Sequence, residues 1–354
     1  MIEHSDIQEI LNTVSLGFSV EDSMLVDGRL ILHVTSHLDV KKGFSSVNVQ
    51  LKALGYISLL RVREGRMVLT IIQRSRIQPA RWVWNLLLLL ATIGTTTYVG
   101  YQMSINLVSL GVMETPWHGA LTFSSALLAI LGLHELGHKI MANRWGVEAT
   151  LPYFIPIPFF IGTFGAIIKM KEQTPNRDAL FDIGAAGPIA GFLTLLPIAF
   201  LGIQHSYILP VNAMPLETIS LPTPILFTLL TQVAVPYIPS GYSLLFHPVA
   251  FAAWVGMVVT MLNLIPVGML DGGHISRALF GGKLHRTVSM IGVVVTFALG
   301  WFAMGILMLF FASARHAGPL EDVSSISPNR RMLSIGLLVI LLLCVVPMWG
   351  TGAL

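Results

Sequence analysis

Over the first 78 residues, apolar positions come in short alternating or helix-spaced runs among ordinary charges; beyond them the chain becomes a series of long apolar runs. The early pattern predicts a short helix over 6–14 and a hairpin whose strands, 24–26 and 30–34, flank Asp27-Gly28. It predicts a second helix over 43–54 and a second hairpin, 56–62 with 67–72, around Arg63-Glu64-Gly65-Arg66. Asp-Gly between apolar runs is a strong hairpin signal, because a tight turn there needs residues that accept positive φ. Residues 1–78 are therefore expected to form a small, water-exposed α+β domain, and 79–354 a transmembrane domain.

Six apolar runs follow, at about 82–103, 118–141, 178–202, 247–270, 286–312 and 332–350. Each is long enough to cross about 30 Å of hydrocarbon at 1.5 Å per residue. Residues 151–170 are equally apolar but hold three prolines and two glycines. That composition resists a spanning helix and predicts a membrane-associated hairpin packed against protein. Residues 222–238, bounded by prolines, read as an interfacial or partly inserted segment. The predicted fold class is an α-helical polytopic membrane protein: about six transmembrane helices, a membrane-associated hairpin and a small N-terminal α+β cytosolic domain.

Basic residues near the run ends set the orientation. Arg74, Arg76 and Arg81 precede the first run; Lys139, Arg144, Lys169, Lys171 and Arg177 lie between the second and third; Arg277, Lys283 and Arg286 follow the fourth. Together they place the N-terminal domain in the cytoplasm of a multi-pass cell-membrane protein, with the active site near the cytosolic side. Arg315, Arg330 and Arg331 conflict with six simple crossings. A hairpin of two half-spans over 286–312 resolves that conflict, and the pattern leaves both arrangements open.

Composition sharpens this picture. The chain is 54% hydrophobic and only 11% charged, against about 25% charged in soluble domains. The net charge of +3 is small and its basic residues flank apolar runs, so they serve topology and not nucleic-acid binding. The expected partners are the lipid bilayer and a membrane-protein substrate, with the oligomeric state open. The start, MIEHSDIQEIL, lacks the basic-then-apolar order of a signal peptide, so no processing is expected. With Cys344 the single cysteine, neither an intramolecular disulfide nor a thiolate cage is possible. Any metal must be held by His, Asp or Glu.

His134-Glu135-Leu136-Gly137-His138 supplies such ligands. Residues four apart share one helix face, so two imidazoles there can bind one Zn²⁺ at about 2.0–2.1 Å. Glu135 is rotated about 100° around the helix, where its carboxylate reaches a metal-activated water without ligating the metal. The motif ends the apolar run 126–133, where ionisable groups are costly unless they bind something. The competing reading is a polar helix end satisfied by water at the interface. A catalytic zinc usually takes three protein ligands, and Asp271 is the candidate third. It ends the fourth apolar run in NLIPVGMLDGGH, where Pro266 and Gly268 break the helix. The alternative is an interfacial loop carboxylate. One crossing, 178–202, between the two spans brings His134, His138 and Asp271 to the same depth.

Four other polar residues lie in or near the spans. His118 lies sixteen residues before His134, about 24 Å along a helix, and reads as interfacial, as does His247. His274 is either a residue supporting a metal ligand or a loop histidine at the cytoplasmic edge. Asp182 either orients a zinc histidine or sits at a helix start near Arg177. The glycines at 184, 187 and 191 suit close helix packing.

HELGH in one span, with the N-x-x-P-x-x-x-L-D-G stretch Asn263 to Gly272 in a later one, resembles the site-2 proteases. Phe181 to Pro188 (FDIGAAGP) resembles that family's third core span, and the resemblance covers about residues 80–350. The N-terminal hairpin domain and the long fifth-to-sixth segment resemble the archaeal and plant-chloroplast branch; no PDZ-like insert is present. The resemblance implies regulated intramembrane proteolysis by a zinc endopeptidase. His134, His138 and Asp271 are then the ligands and Glu135 the general base. Asn263 matches an asparagine that orients the scissile peptide or stabilises its oxyanion, an amide donor suiting developing negative charge; a helix-capping role is the alternative. Residues 151–170 match the family's hairpin, on which an extended substrate pairs by strand addition. Prenyl-peptidase or HtpX-like zinc proteases need a glutamate ligand on a later helix. The glutamates between the motif and Asp271 are Glu148, Glu172 and Glu217, and none sits in a suitable helix. A non-proteolytic metal-binding protein or ion transporter does not require Glu135.

Overall fold

The computed structural model describes residues 4–36, 39–74, 82–214, 221–313 and 316–346. Arg76, Arg81, Glu217, Arg315 and residues 347–350 of the last apolar run lie outside them. The chain opens with α1 (His4–Val14), β1 (Phe18–Val26), β2 (Arg29–Ser36), α2 (Val40–Ala53), β3 (Tyr56–Arg63) and β4 (Arg66–Gln73). Both hairpins close with two-residue turns in which each residue has positive φ: Asp27 at +50° and Gly28 at +70°, Glu64 at +51° and Gly65 at +79°. That is the turn whose twist matches paired strands. The Asp39 side chain starts α2 by accepting from the Lys42 N–H at 3.1 Å. The sheet order is β1-β2-β4-β3, all antiparallel. Its apolar face packs on Ile10 and Val14 of α1 and on Phe44, Val47 and Leu51 of α2, all essentially buried.

The rest is dominated by helices: α3 (Trp82–Ser109), α4 (Pro116–Arg144), α5 (Arg177–Gln204), α6 (Ile225–Ala234), α7 (Pro248–Leu264), α8 (Asp271–Ala298), α9 (Phe302–Ser313) and α10 (Pro328–Cys344). Two short hairpins interrupt them: β5 (Tyr153–Pro156) with β6 (Thr163–Ile167), and β7 (Tyr207–Pro210) with β8 (Tyr242–Leu245). Among the described residues, three helices are long and apolar enough to cross a membrane: α3, α4 and α5, of 28, 29 and 28 residues. Helices α6, α7 and α9 are apolar but shorter. Residues 151–170 contain the expected hairpin. Its tip is apolar and exposed, Phe160 being 78% accessible, and it is seated on α3 by a 2.7 Å hydrogen bond from Thr95 Oγ1 to the Gly162 carbonyl. The 222–238 segment becomes the short helix α6.

Two boundaries differ from the hydrophobic pattern. The fourth span stops at Leu264, not at 270. Pro266 has no N–H to continue the helix, and Gly268 (φ +51°) approaches the Phe311 carbonyl so closely that a Cβ would lie 2.6 Å from its oxygen. The apolar run 286–312 is not one helix. Helix α8 ends at Ala298, Gly300 takes φ +84°, and α9 runs back beside it. This is the two-helix hairpin, and it returns the chain to the N-terminal sheet.

That return is a built contact. The Leu60 N–H donates to the Leu320 carbonyl at 2.9 Å and the Asp322 N–H to the Leu60 carbonyl at 3.3 Å, so residues 320–322 lie along the free edge of β3. The guanidinium of Arg61 donates to the Leu320 and Pro319 carbonyls, and the Leu320 side chain enters the N-terminal core. On its other side the segment bonds the Thr174 and Pro175 carbonyls. Asp322 takes both Arg177 and Arg277, while Glu172 joins Lys52 to Arg74. Burial opposes charge on Asp322, but hydrogen bonds from Arg277, then the charges of Arg277 and Arg177, outweigh it and hold its pKa below the usual carboxylate range. Glu172 is held low against burial by Lys52 and Arg74 in the same way.

A depressed carboxylate pKa stabilises the native state at every pH above the unfolded value, about 4. The contribution disappears as pH falls from there through the lower native value. Contact between the N-terminal sheet and residues 320–322 is therefore expected to hold from pH 5 upward and to loosen below about pH 4. Hydrogen exchange at the Leu60 and Asp322 amides checks this; protection that is flat from pH 6 to 3, after correction for intrinsic exchange, contradicts it.

Candidate metal centre and catalytic site

The metal-binding motif sits in the second half of α4, a helix started by Pro116 and the Thr115 side chain. His134, Glu135 and His138 are 4%, 8% and 6% accessible, far more buried than side chains at a wet helix end. What buries them is α5. A Cβ at Gly137 would lie 2.5 Å from the Ala186 carbonyl oxygen, and one at Gly191 would lie 3.1 Å from His134 Nδ1. A Cβ at Gly187 would collide with the His138 ring itself. The small residues of α5 thus form a seat into which both imidazoles press.

Asp271 reaches the same point from another direction. It is the first residue of α8, not the last of the preceding span. The irregular stretch 265–270 turns the chain so that the carboxylate lies at a helix N-terminus, where the helix dipole favours negative charge. His134 Nε2 is 3.1 Å from Asp271 Oδ2, His138 Nε2 is 3.2 Å from Asp271 Oδ1, and the two Nε2 atoms are 3.2 Å apart. Bonds of about 2.05 Å to a tetrahedral zinc put neighbouring donor atoms about 3.3 Å apart; each of these spacings has that length, with the two histidines facing different oxygens of the one carboxylate. The tautomer fits as well. His138 Nδ1 lies 2.7 Å from the Ile183 carbonyl; a carbonyl only accepts, so the proton is on Nδ1 and the Nε2 lone pair faces the other two donors. Among the described residues no other three His, Cys, Asp or Glu side chains converge in this way.

Glu135 lines the same cavity of about 190 Å³, together with Asn263 and Ala166 to Ile168 of the hairpin. The Ile168 backbone hydrogen-bonds its carboxylate. Asn263 lies in the last turn of α7, its Nδ2 being 3.3 Å from His134 Nε2. The structure thus brings together all five residues that the sequence singled out. Beta-strand β6 pairs with β5 on one side only, and its Ala166 and Ile167 line the cavity.

The weaker candidates resolve differently. Asp182 supports no zinc histidine and does not meet Arg177. It binds Arg330 bidentately, at 2.7 and 2.5 Å, and accepts from the Trp145 indole at 3.1 Å. Arg177 instead pairs with Asp322. His118 stacks edge-on against His247, remote from the ligands. His274 is not in a loop: it lies in the first turn of α8 and lines the cavity. Its partner, His316, was not singled out by the sequence, because the two are 42 residues apart with no spacing rule between them.

Two imidazoles and a carboxylate on one buried point, with a second carboxylate beside them and apolar helices around, place the chain among membrane metalloproteases. Residues 122–303, just over half of the chain, match Peptidase family M50, which contains the site-2 proteases, and the chain belongs to that family. It is 30% identical over 225 residues to the probable zinc metalloprotease EGY2, chloroplastic, of Arabidopsis thaliana, covering 60% of this chain and 39% of that protein. It is 32% identical over 244 residues to the probable zinc metalloprotease EGY1, chloroplastic, of Oryza sativa subsp. japonica, covering 65% and 41%. Against EGY1 of Arabidopsis thaliana, identity is 28% over 300 residues, covering 76% and 54%. The chain therefore spans from about two fifths to about half the length of these relatives. No solved structure matches it.

Proposed function

We propose that this chain is a zinc endopeptidase that cuts transmembrane or membrane-docked proteins within or near the bilayer. The observation that carries the reading is the tetrahedral-edge spacing of His134, His138 and Asp271, with Glu135 in the same cavity. Zinc held by His134, His138 and Asp271 would polarise the scissile carbonyl and bring the pKa of a water near neutral. Glu135 takes a proton from the attacking water and delivers it to the leaving amine, as a general base and then acid. Asn263 donates through its amide to the oxygen on which negative charge develops. The open edge of β6 receives the substrate as an added strand, exposing a peptide bond that a helix would hide.

In this reading residues 1–78 are the water-exposed domain and 79–354 the membrane domain. The membrane is crossed by α3, α4, α5, α7 and α10, while the α8–α9 hairpin enters and leaves it on the cytosolic side. The N-terminal domain and the metal centre face the cytosolic side of the cell membrane.

Metal removal tests the reading. Detergent-purified protein is expected to hold about one zinc per chain and to cut members of a panel of single-span substrates. Chelation should abolish cleavage and zinc should restore it. Asp271→Ala should lose both metal and cleavage. A zinc-replete wild type that cuts none of the panel contradicts the peptidase reading; full zinc in Asp271→Ala contradicts the ligand set.

A further inference from the structure

The residue pair His274 and His316 has no role in the reaction proposed above, yet its geometry is specific. His274 Nδ1 is 2.7 Å from His316 Nε2, the rings meeting edge-on at 82° with centroids 4.9 Å apart. On the far side of His316, Nδ1 is 3.0 Å from the Gly318 backbone nitrogen. A backbone N–H only donates, so His316 Nδ1 carries a lone pair and no proton. The proton of neutral His316 is then on Nε2 and points at His274. Burial, and after it the charges of His274, His285 and Arg277, push the His316 pKa down to about 3, so this neutral form persists throughout the working pH range.

The consequence passes to His274. Its Nδ1 lone pair is used in accepting from His316, which leaves its proton on Nε2. Among the described residues the His274 side chain makes no second hydrogen bond. Its ring lines the cavity that holds Glu135, Asn263 and Asp271. The base of the side chain is packed against α5, where a Cβ at Gly184 would lie 3.0 Å from the His274 Cβ. His274 therefore has no lone pair to offer a metal. It has a fixed, unspent N–H donor at the rim of the catalytic cavity.

We propose that His274 donates its Nε2–H to a backbone carbonyl of the bound substrate, and that His316 is the positioning residue that holds His274 in that tautomer and orientation. The proposal rests on the peptidase reading above. The relay runs Gly318 N–H to His316 Nδ1, His316 Nε2–H to His274 Nδ1, and His274 Nε2–H to the substrate. No proton is transferred along it; its work is to aim one donor. Prealigned donors of this kind act strongly in a site that excludes water, and partners that only orient such a group are typically worth 10–100-fold.

The test uses the full-length protein, a single-span substrate that the wild type cuts, and zinc content measured alongside kcat/KM. His274→Phe removes the donor and is expected to lower kcat/KM by roughly 10²-fold while the zinc content stays at the wild-type level. His274→Gln keeps an amide N–H near the Nε2 position and should recover most of that loss. His316→Leu should lower kcat/KM about tenfold, and His316→Gln, which again presents an N–H to His274 Nδ1, should recover it. A merely structural role predicts no such rescue by either glutamine. The proposal is overturned if His274→Phe cuts within twofold of wild type, if the glutamine variants are no better than Phe and Leu, or if zinc is lost from the His274 variants. Failure of the wild type itself to cut would instead overturn the peptidase reading, so the two failures are distinct.

Discussion

Glu135→Gln is expected to keep its zinc and lose its activity. Glutamine has nearly the same shape as glutamate, and Glu135 contributes none of the three converging donor atoms. The apolar environment of α4, the packing against α5 and the hydrogen bonds of His134 and His138 are all unchanged. What is lost is the proton acceptor in the cavity of about 190 Å³. General acid–base catalysis is worth on the order of 10²–10⁴-fold, and kcat should fall by that amount with KM little altered. Zinc content and single-turnover cleavage on the same preparation check the prediction. Cleavage within threefold of wild type would falsify the assignment of Glu135 as the base.

The second large effect comes from a methyl group. In Gly187→Ala, the new Cβ falls 2.0 Å from His138 Nε2 and 2.4 and 2.5 Å from its Cδ2 and Cε1. The ring has nowhere to go. Its Nδ1 is tied to the Ile183 carbonyl on the same helix, α5, that carries the substitution. The helices must separate or His138 must leave its rotamer. Overpacking of this kind costs about 1–3 kcal/mol in a close-packed interior, and a ligand displaced by about 1 Å costs on the order of 10²-fold in a geometry-dependent reaction. Gly187→Ala is therefore expected to lower zinc affinity and cleavage together, by roughly 10²-fold. Gly336→Ala is the matched control, since a Cβ there meets nothing within 4 Å; it should behave as wild type. Unchanged zinc affinity in Gly187→Ala would show that the α4–α5 seat is looser than drawn.

These two residues illustrate what local pattern reveals and what it leaves hidden. The chemistry of His134, Glu135 and His138 is readable because a helix turns spacing into direction: residues four apart must share a face. The N-terminal hairpins are readable for a similar reason, Asp27-Gly28 and Glu64-Gly65 being able to take positive φ. The ligand role open to Asp271 is readable, but its place in the fold is not. Pro266 and Gly268 mark the break, but hydrophobicity runs on to Leu270, so nothing local shows that Asp271 opens the next helix and does not end this one. Likewise Gly300 alone divides 286–312, in a run with no charge to mark the turn. Pairings such as Asp182 with Arg330, or His274 with His316, join residues 148 and 42 positions apart. They follow from how helices cross, which no local period encodes.

The contact between β3 and residues 320–322 has a consequence for how the protein is made. The outer edge of β3 is not finished by its own domain; its last partner is encoded about 250 residues later. At a synthesis rate of about 5–20 residues per second, roughly 12–50 s separate emergence of the sheet from arrival of the segment that closes it. Throughout that interval Leu60 and its neighbours present unpaired backbone, the kind of edge that recruits strands from other chains. The nascent chain must therefore insert its helices while carrying an open sheet edge, and the fold of its first domain is completed only when nearly all of the membrane part has been made.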